Sequence, residues 1–212
     1  MNCKLIGQFI QHLEIVLEPG EEFFVEKGSV IYLQSGIEKE LALNGSGLGR
    51  LIGAKLSGES LFIIRLYNPT RRQLKAVLGG KFGLLPVKLN GESMICHRGV
   101  YVGSNHRVDI STKLSLSGLT GGMGMLLQKI EGSATVFLDT KGAPIVAELQ
   151  CGDSIEVDED HIIAIKNIPG SRIRSNWSLG NLLSGEGLSM MSITGPGTVY
   201  LSPSSINPPY PQ

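Results

Sequence analysis

The sequence predicts an all-β protein assembled from three diverged copies of one β motif, and three observations predict it. A Gly-acid turn followed by a strand recurs three times without a gap, as Gly20-Glu21, Gly91-Glu92 and Gly152-Asp153. A second Gly-centred strand pattern recurs after each of them. No apolar series of helical period runs anywhere along the chain.

The elements follow in order. Each copy opens with a leucine (Leu17, Leu89, Leu149) shortly before the Gly-acid pair. A short strand then runs to Gly28, Gly99 or Asp160. Glycine reaches positive φ without a steric cost, which a tight turn into a strand requires, and Asp is among the few other residues that tolerate it. The next strands are Val30-Ile31-Tyr32-Leu33, Val100-Tyr101-Val102 and Ile162-Ile163-Ala164-Ile165, rich in β-branched and aromatic side chains. Ile37 to Leu41, Val108-Asp109-Ile110 and Ile173-Arg174 alternate apolar and polar, as half-buried strands do. Gly/Ser/Leu loops follow, the first running from Gly45 to Leu56 with room for one short helix that its glycines disfavour. The second half of each copy starts at Gly58-Glu59, Gly122-Met123 or Gly185-Glu186. It continues as strand, turn and strand through Glu131-Gly132 and Thr194-Gly195-Pro196-Gly197, the signature of a hairpin, with Asn68-Pro69 taking the place of glycine in the first copy. Five or six strands per unit of roughly 55–70 residues give a sandwich or barrel-like array. The boundaries fall near 13–80, 81–141 and 142–205, with a Pro-rich tail over 206–212. Units so small are expected to share cores within one compact molecule.

Composition narrows the function. The chain of 212 residues carries no formal net charge, and aromatics are only 6%, so neither a phosphate-binding excess nor base-stacking platforms stand out. Charge is uneven, with seven Lys/Arg against four Asp/Glu over 81–141, and three against seven over 142–212. A basic middle and an acidic end read as drift of surface charge rather than as a device for head-to-tail contacts between subunits. Cys3, Cys96 and Cys151 are widely spaced and lack a C-x-x-C pairing, which suits inert thiols in a reducing compartment. The N-terminal stretch lacks a signal-peptide core, and no run has the length of a transmembrane helix, so a cytoplasmic location is expected.

Motifs for chemistry are sparse. Gly45, Gly47, Gly49 and Gly53 lack the spacing and βαβ setting of a nucleotide fingerprint. His12, His97, His106 and His161 have no partner at metal-ligand spacing, and Cys96 and His97 point to opposite faces of a strand. Asp158-Glu159-Asp160-His161 is the densest polar cluster, either a cation site or a solvated turn. Met123, Met125, Met190 and Met191 read as packing of the repeated strands rather than a pliable binding face, and Trp177 as a buried residue. Pro208-Pro209-Tyr210-Pro211 reads as a frayed end rather than a ligand for a Pro-reading domain. No residue is assigned to catalysis, to a cofactor or to a metal.

Four of these motifs together resemble one family. They are Leu17-Glu18-Pro19-Gly20-Glu21, Gly58-Glu59-Ser60-Leu61, Asp158 with His161, and Gly185-Glu186-Gly187-Leu188 through Thr194-Gly195-Pro196-Gly197. The family is that of altered inheritance of mitochondria, or mitochondrial biogenesis, also called tryptophan-RNA-binding-attenuator-like, and the chain resembles its bacterial-type members from about residue 13 to 202. The resemblance implies repeated β-sandwich or double-stranded β-helix units of attenuator-like shape, and symmetric homo-oligomers such as trimers. It implies no established activity. The chain departs from the family at Asp160, where Gly tends to precede the His, and at Met123, where the outer copies carry Glu59 and Glu186. RNA binding by the attenuator protein is a likeness of fold alone and does not transfer.

The leading expectation is a non-enzymatic, oligomeric scaffold or assembly protein. The alternative is a nucleic-acid or small-ligand binding module, for which the basic Lys81, Lys88, Arg98, Arg107 and Lys113 of the middle copy leave room. A third reading is an enzyme using a cation at Asp158 and His161.

Overall fold

The computed structural model of the chain describes residues 1–42, 63–111, 127–175 and 190–206. They form antiparallel β-sheets joined by turns, and among them helix is confined to two single 3₁₀ turns, Glu159–His161 and Gly170–Arg172. No helix among these residues is long and apolar enough to cross a membrane.

The first segment holds β1 (Asn2–Ile6), β2 (His12–Leu17), β3 (Glu22–Glu26), β4 (Val30–Leu33), β5 (Glu38–Ala42), β6 (Ile63–Tyr67) and β7 (Leu74–Gly79). In β2 the alternation is strict: Leu13, Ile15 and Leu17 are fully buried, while His12, Glu14 and Val16 lie on the other, more open face. β7 pairs with β2 and β4, and β6 pairs with β3 and β5. Two three-stranded layers result, with β1 added beside β2.

The middle segment uses longer strands. β8 (Gly83–His97) and β11 (Leu127–Thr140) pair along almost their whole length, flanked by β9 (Tyr101–Ser104) and β10 (Asp109–Ser111). The second half of β11 pairs with the first half of β8 and with β9. Its first half pairs with the second half of β8 and with β10. The last segment holds β12 (Ile145–Leu149), β13 (Ser154–Asp158), β14 (Ile162–Lys166), β15 (Ile173–Ser175), β16 (Met190–Thr194) and β17 (Gly197–Leu201). There β17 pairs with β12 and β14, and β16 with β13 and β15. The order of pairing is the same in all three segments.

The expected hairpins are corrected by these pairings. Gly132, at φ +146°, sits inside the 14-residue β11 and marks a register shift between Glu131 and Ser133, so the strand bends and runs on. β16 and β17 flank Gly195-Pro196, yet each pairs with other strands and not with the other. One glycine between two apolar strands is the local signature of a turn and of a bulge alike. The partners available in the sheet decide between them.

A second irregularity recurs. The register of β4 on β7 skips Ile31, that of β9 on β11 skips Val102, and that of β14 on β17 skips Ile163. Counted from Gly28, Gly99 and Asp160, these are one and the same position.

The segments share their cores. Leu13, Phe23, Leu66 and Leu78 of the first pack with Val102 and Phe137 of the second. Leu85, Met94, Cys96 and Ile130 of the second pack with Phe24 and Ile63 before them and with Ile163 and Ala164 after them. Leu149, Val157, Ile165, Met191 and Ile193 complete the third. Backbone pairing joins the same neighbours. Phe24 and Val25 of β3 face Ser104 and Gly103 of β9, and Met94, Ile95 and Cys96 of β8 face Lys166, Ile165 and Ala164 of β14. Gly103 is required at the first junction, because a Cβ there would lie 2.7 Å from both the Phe24 carbonyl oxygen and the Phe23 ring.

Candidate functional site

The three Gly-acid pairs are built alike, although Gly91-Glu92 is a bulge inside β8 and not the expected turn, because β11 pairs with β8 on both sides of it. Gly20, Gly91 and Gly152 take φ of +80°, +87° and +95°. The carboxylate that follows accepts an amide N–H from just before the glycine: Glu18 to Glu21 at 2.9 Å, Asn90 to Glu92 at 2.9 Å, and Gln150 to Asp153 at 2.7 Å. Each acid therefore clasps the backbone just before its own glycine. Burial alone would raise the Glu21 carboxyl, but its bonds to the Met1 ammonium and the Glu18 amide outweigh it and hold it below the usual range. The Asn90 amide, and then the Lys166 ammonium 3.1 Å away, lower Glu92.

Asp158 and His161 are likewise committed to backbone. Asp158 caps the 3₁₀ turn by accepting the Asp160 amide at 3.0 Å. His161 Nδ1 donates to the Ser202 carbonyl at 2.7 Å, while the Ser202 amide donates back to the His161 carbonyl at 2.7 Å. The Ile206 amide donates to the Asp160 carbonyl, so this cluster holds the segment that follows β17. Among the described residues no three His, Cys, Asp or Glu side chains converge as a metal would need. His97 Nδ1 donates to the Arg98 carbonyl at 2.7 Å, and neighbouring Cys96 is buried against the Gln128 amide. Burial pushes the Cys96 thiol up to about 12 and that of Cys3 up to about 11, far from the thiolate a nucleophile needs. Cys151 is exposed.

A buried acid sits where β7 turns into β8. Asp139 accepts the Lys81 amide at 2.7 Å, and a Cβ on Gly80 would lie 2.6 Å from its Oδ1. Burial pushes Asp139 above the usual carboxylate range against that amide and the Lys81 charge. Glu26 is raised by burial too, with Lys81 opposing and Asp139 adding to the rise. Both acids then hold protons more tightly folded than unfolded, so their contribution is full below about pH 4 and declines as pH rises through the folded values. Asp139→Asn removes one of these declines. Urea melts should show the stability difference moving in the variant's favour between pH 4 and pH 7; a pH-independent difference would contradict this.

What the sequence reading missed is a surface. In β4, Ile31 and Tyr32 are both exposed, at 61% and 48%. The matching residues of the other segments are buried: Val102 at 3%, Ile163 and Ala164 at 0%. Phe9 and Ile10 of the first segment and Phe82, between β7 and β8, are exposed as well, the Gln11 amide donating to the Phe82 carbonyl. Comparison of matched positions across the three segments would have found this contrast only with the pairing in hand. A shallow cleft lined by Lys27, Lys39, Glu40, Leu41 and Ile64 lies along β5 and β6. Of the methionines singled out, Met191 is buried and Met190 half-buried. Met123, Met125, Trp177, Lys113, the loop from Gly45 to Leu56, the motifs at Gly58, Gly122 and Gly185, and Pro208 to Pro211 lie outside the described residues.

Comparison with known proteins agrees with this picture. A crystal structure of a Streptococcus pyogenes protein shares the fold, with a TM-score of 0.71 over 97% of this chain and 94% of that one at 20% identity. An uncharacterized protein of Streptococcus pyogenes serotype M6 is 25% identical over 199 residues, 89% of this chain and 79% of that protein. The model of the family described as mitochondrial biogenesis AIM24 matches residues 3–204. The chain belongs to the mitochondrial biogenesis AIM24 family.

Proposed function

We propose that this protein is a non-enzymatic scaffold that assembles into homo-oligomers, built from three attenuator-like units. The observation that carries the reading is the exposure of Phe9, Ile10, Ile31 and Tyr32 in the first segment and of Phe82 just beyond it. Large apolar side chains exposed on a small protein mark surface meant to be covered, and Leu41, Ile145 and Val146 are exposed elsewhere in it. The recurrent pairing order, the recurrent bulge and the three clasped Gly-acid pairs support the division into units near 13–80, 81–141 and 142–205. Two antiparallel layers per unit support the attenuator-like, double-stranded β-helix description. The non-enzymatic reading draws support from how the candidate polar groups are used: Glu21, Glu92, Asp153, Asp158 and His161 all bond backbone.

Light scattering on the purified chain at micromolar concentration tests the reading. A mass at a multiple of 22.7 kDa is the expected result. A single species of 22.7 kDa across that range would remove the proposal.

A further inference from the structure

Resting on the assembly reading above, we infer that β4 of one chain pairs with β13 of a second copy, head to tail, and that Ile31 is the residue that locks the joint.

The inference comes from the two junctions inside the chain. In each, the strand residues after a Gly-acid pair run antiparallel to the bulged strand of the following segment: β3 with β9, then the second half of β8 with β14. Counted from Gly20, Gly91 and Gly152, and from Gly28, Gly99 and Asp160, the two registers coincide. Val25 faces Gly103 as Cys96 faces Ala164, and Phe24 faces Ser104 as Ile95 faces Ile165. Three segments joined this way leave one strand of each kind over. Among the described residues β4 pairs only with β7, and β13 pairs only with β16. They are the edges of two different sheets, at the two ends of the series. The same register carried across would set Val157 against Tyr32 and Glu156 against Leu33.

Packing argues the same way. At each internal junction the bulge residue enters the core of the preceding segment. Val102 lies with Phe23, Val25 and Leu66, and Ile163 with Leu89, Met94 and Ile130. Ile31 holds the matching position and is 61% exposed. The core it would enter belongs to the third segment of another chain, around Val157, Met191 and Ile193, with Ile155 only half-buried beside them. The four-residue edge of β4 bears apolar side chains, and no Lys or Pro within Val30–Leu33 guards it against pairing. Because the two edges differ, the contact is heterologous and propagates from chain to chain until a ring closes.

Two measurements test this on the full chain. With Cys3 and Cys151 changed to Ser, Tyr32→Cys and Val157→Cys chains are mixed and oxidised, since directly opposed residues of antiparallel strands come within disulfide reach. A covalent dimer from the mixture, and not from either variant alone, is expected. Ile31→Lys, at an exposed position that leaves the fold's own core intact, should weaken assembly about tenfold or more with an unchanged melting temperature of the isolated chain. If wild type is monomeric, both this joint and the assembly reading fall. If wild type assembles, yet neither the cross-link nor the Ile31→Lys effect appears, the joint alone is wrong.

Discussion

Phe23→Ala should destabilise the folded chain by about 3–5 kcal/mol, the usual cost of emptying a buried aromatic site. Phe23 is fully buried in β3, its ring 6.0 Å from that of Phe137 at 39°. Phe137 belongs to β11 of the middle segment, and Gly103 of β9 leaves the space in which the Phe23 ring edge sits. The truncation therefore opens a cavity where two segments meet, and both should melt together. Urea denaturation followed by fluorescence and by far-ultraviolet dichroism reads the loss. A change below about 1 kcal/mol, or separate transitions for the two probes, would contradict a shared core.

Asn68→Ala should cost about 2–4 kcal/mol, because it leaves buried partners without bonds. Asn68 is fully buried after β6. Its amide nitrogen donates to the Leu17 carbonyl at 2.9 Å and to the Arg72 carbonyl at 2.8 Å, and its Oδ1 accepts from the Thr70 amide at 3.0 Å and hydroxyl at 2.7 Å. Its backbone amide donates to the Glu21 carbonyl at 3.0 Å, as that of Gly195 donates to the Asp153 carbonyl at 2.9 Å. The third segment needs glycine there, since a Cβ at Gly195 would lie 2.5 Å from the Gln150 carbonyl oxygen. The first segment uses a side chain to fill the same corner. Asn68→Asp should be at least as damaging as Asn68→Ala, because a carboxylate cannot donate to Leu17 and Arg72. Equal stability of Asn68→Asp and wild type would show that those two bonds carry nothing.

The comparison of Asn68 with Gly195 shows which features were legible in the sequence. The Gly-acid corners were, because positive φ and a carboxylate clasp are local demands that leave a local mark at Gly20, Gly91 and Gly152, although at Gly91 the corner is a bulge within β8 and not the expected turn. Most other strands were legible for the same reason, through the alternation of buried and open side chains, although β1, β2, β12 and the first half of β8 were not foreseen. The role of Gly132 was not legible. A bend within β11 and a hairpin use the same residues, and only the distant β8 decides between them. Asp158 and His161 were visible as a polar cluster, but their partners are the Asp160 amide and the Ser202 carbonyl, and backbone atoms leave no trace in residue identity. The surface at Ile31 and Tyr32 was hidden most deeply. Those residues spell an ordinary strand, and they stand out only when matched with Val102, Gly103, Ile163 and Ala164 by register.

Hydrogen exchange of the peptides spanning 30–34 and 154–158, read at rising protein concentration, tests the head-to-tail joint most directly. Protection in both should climb together with the oligomeric fraction, from the level of an edge strand to that of β9 and β14. Unchanged, edge-like exchange in both peptides, under conditions where the chain is fully oligomeric, would contradict it.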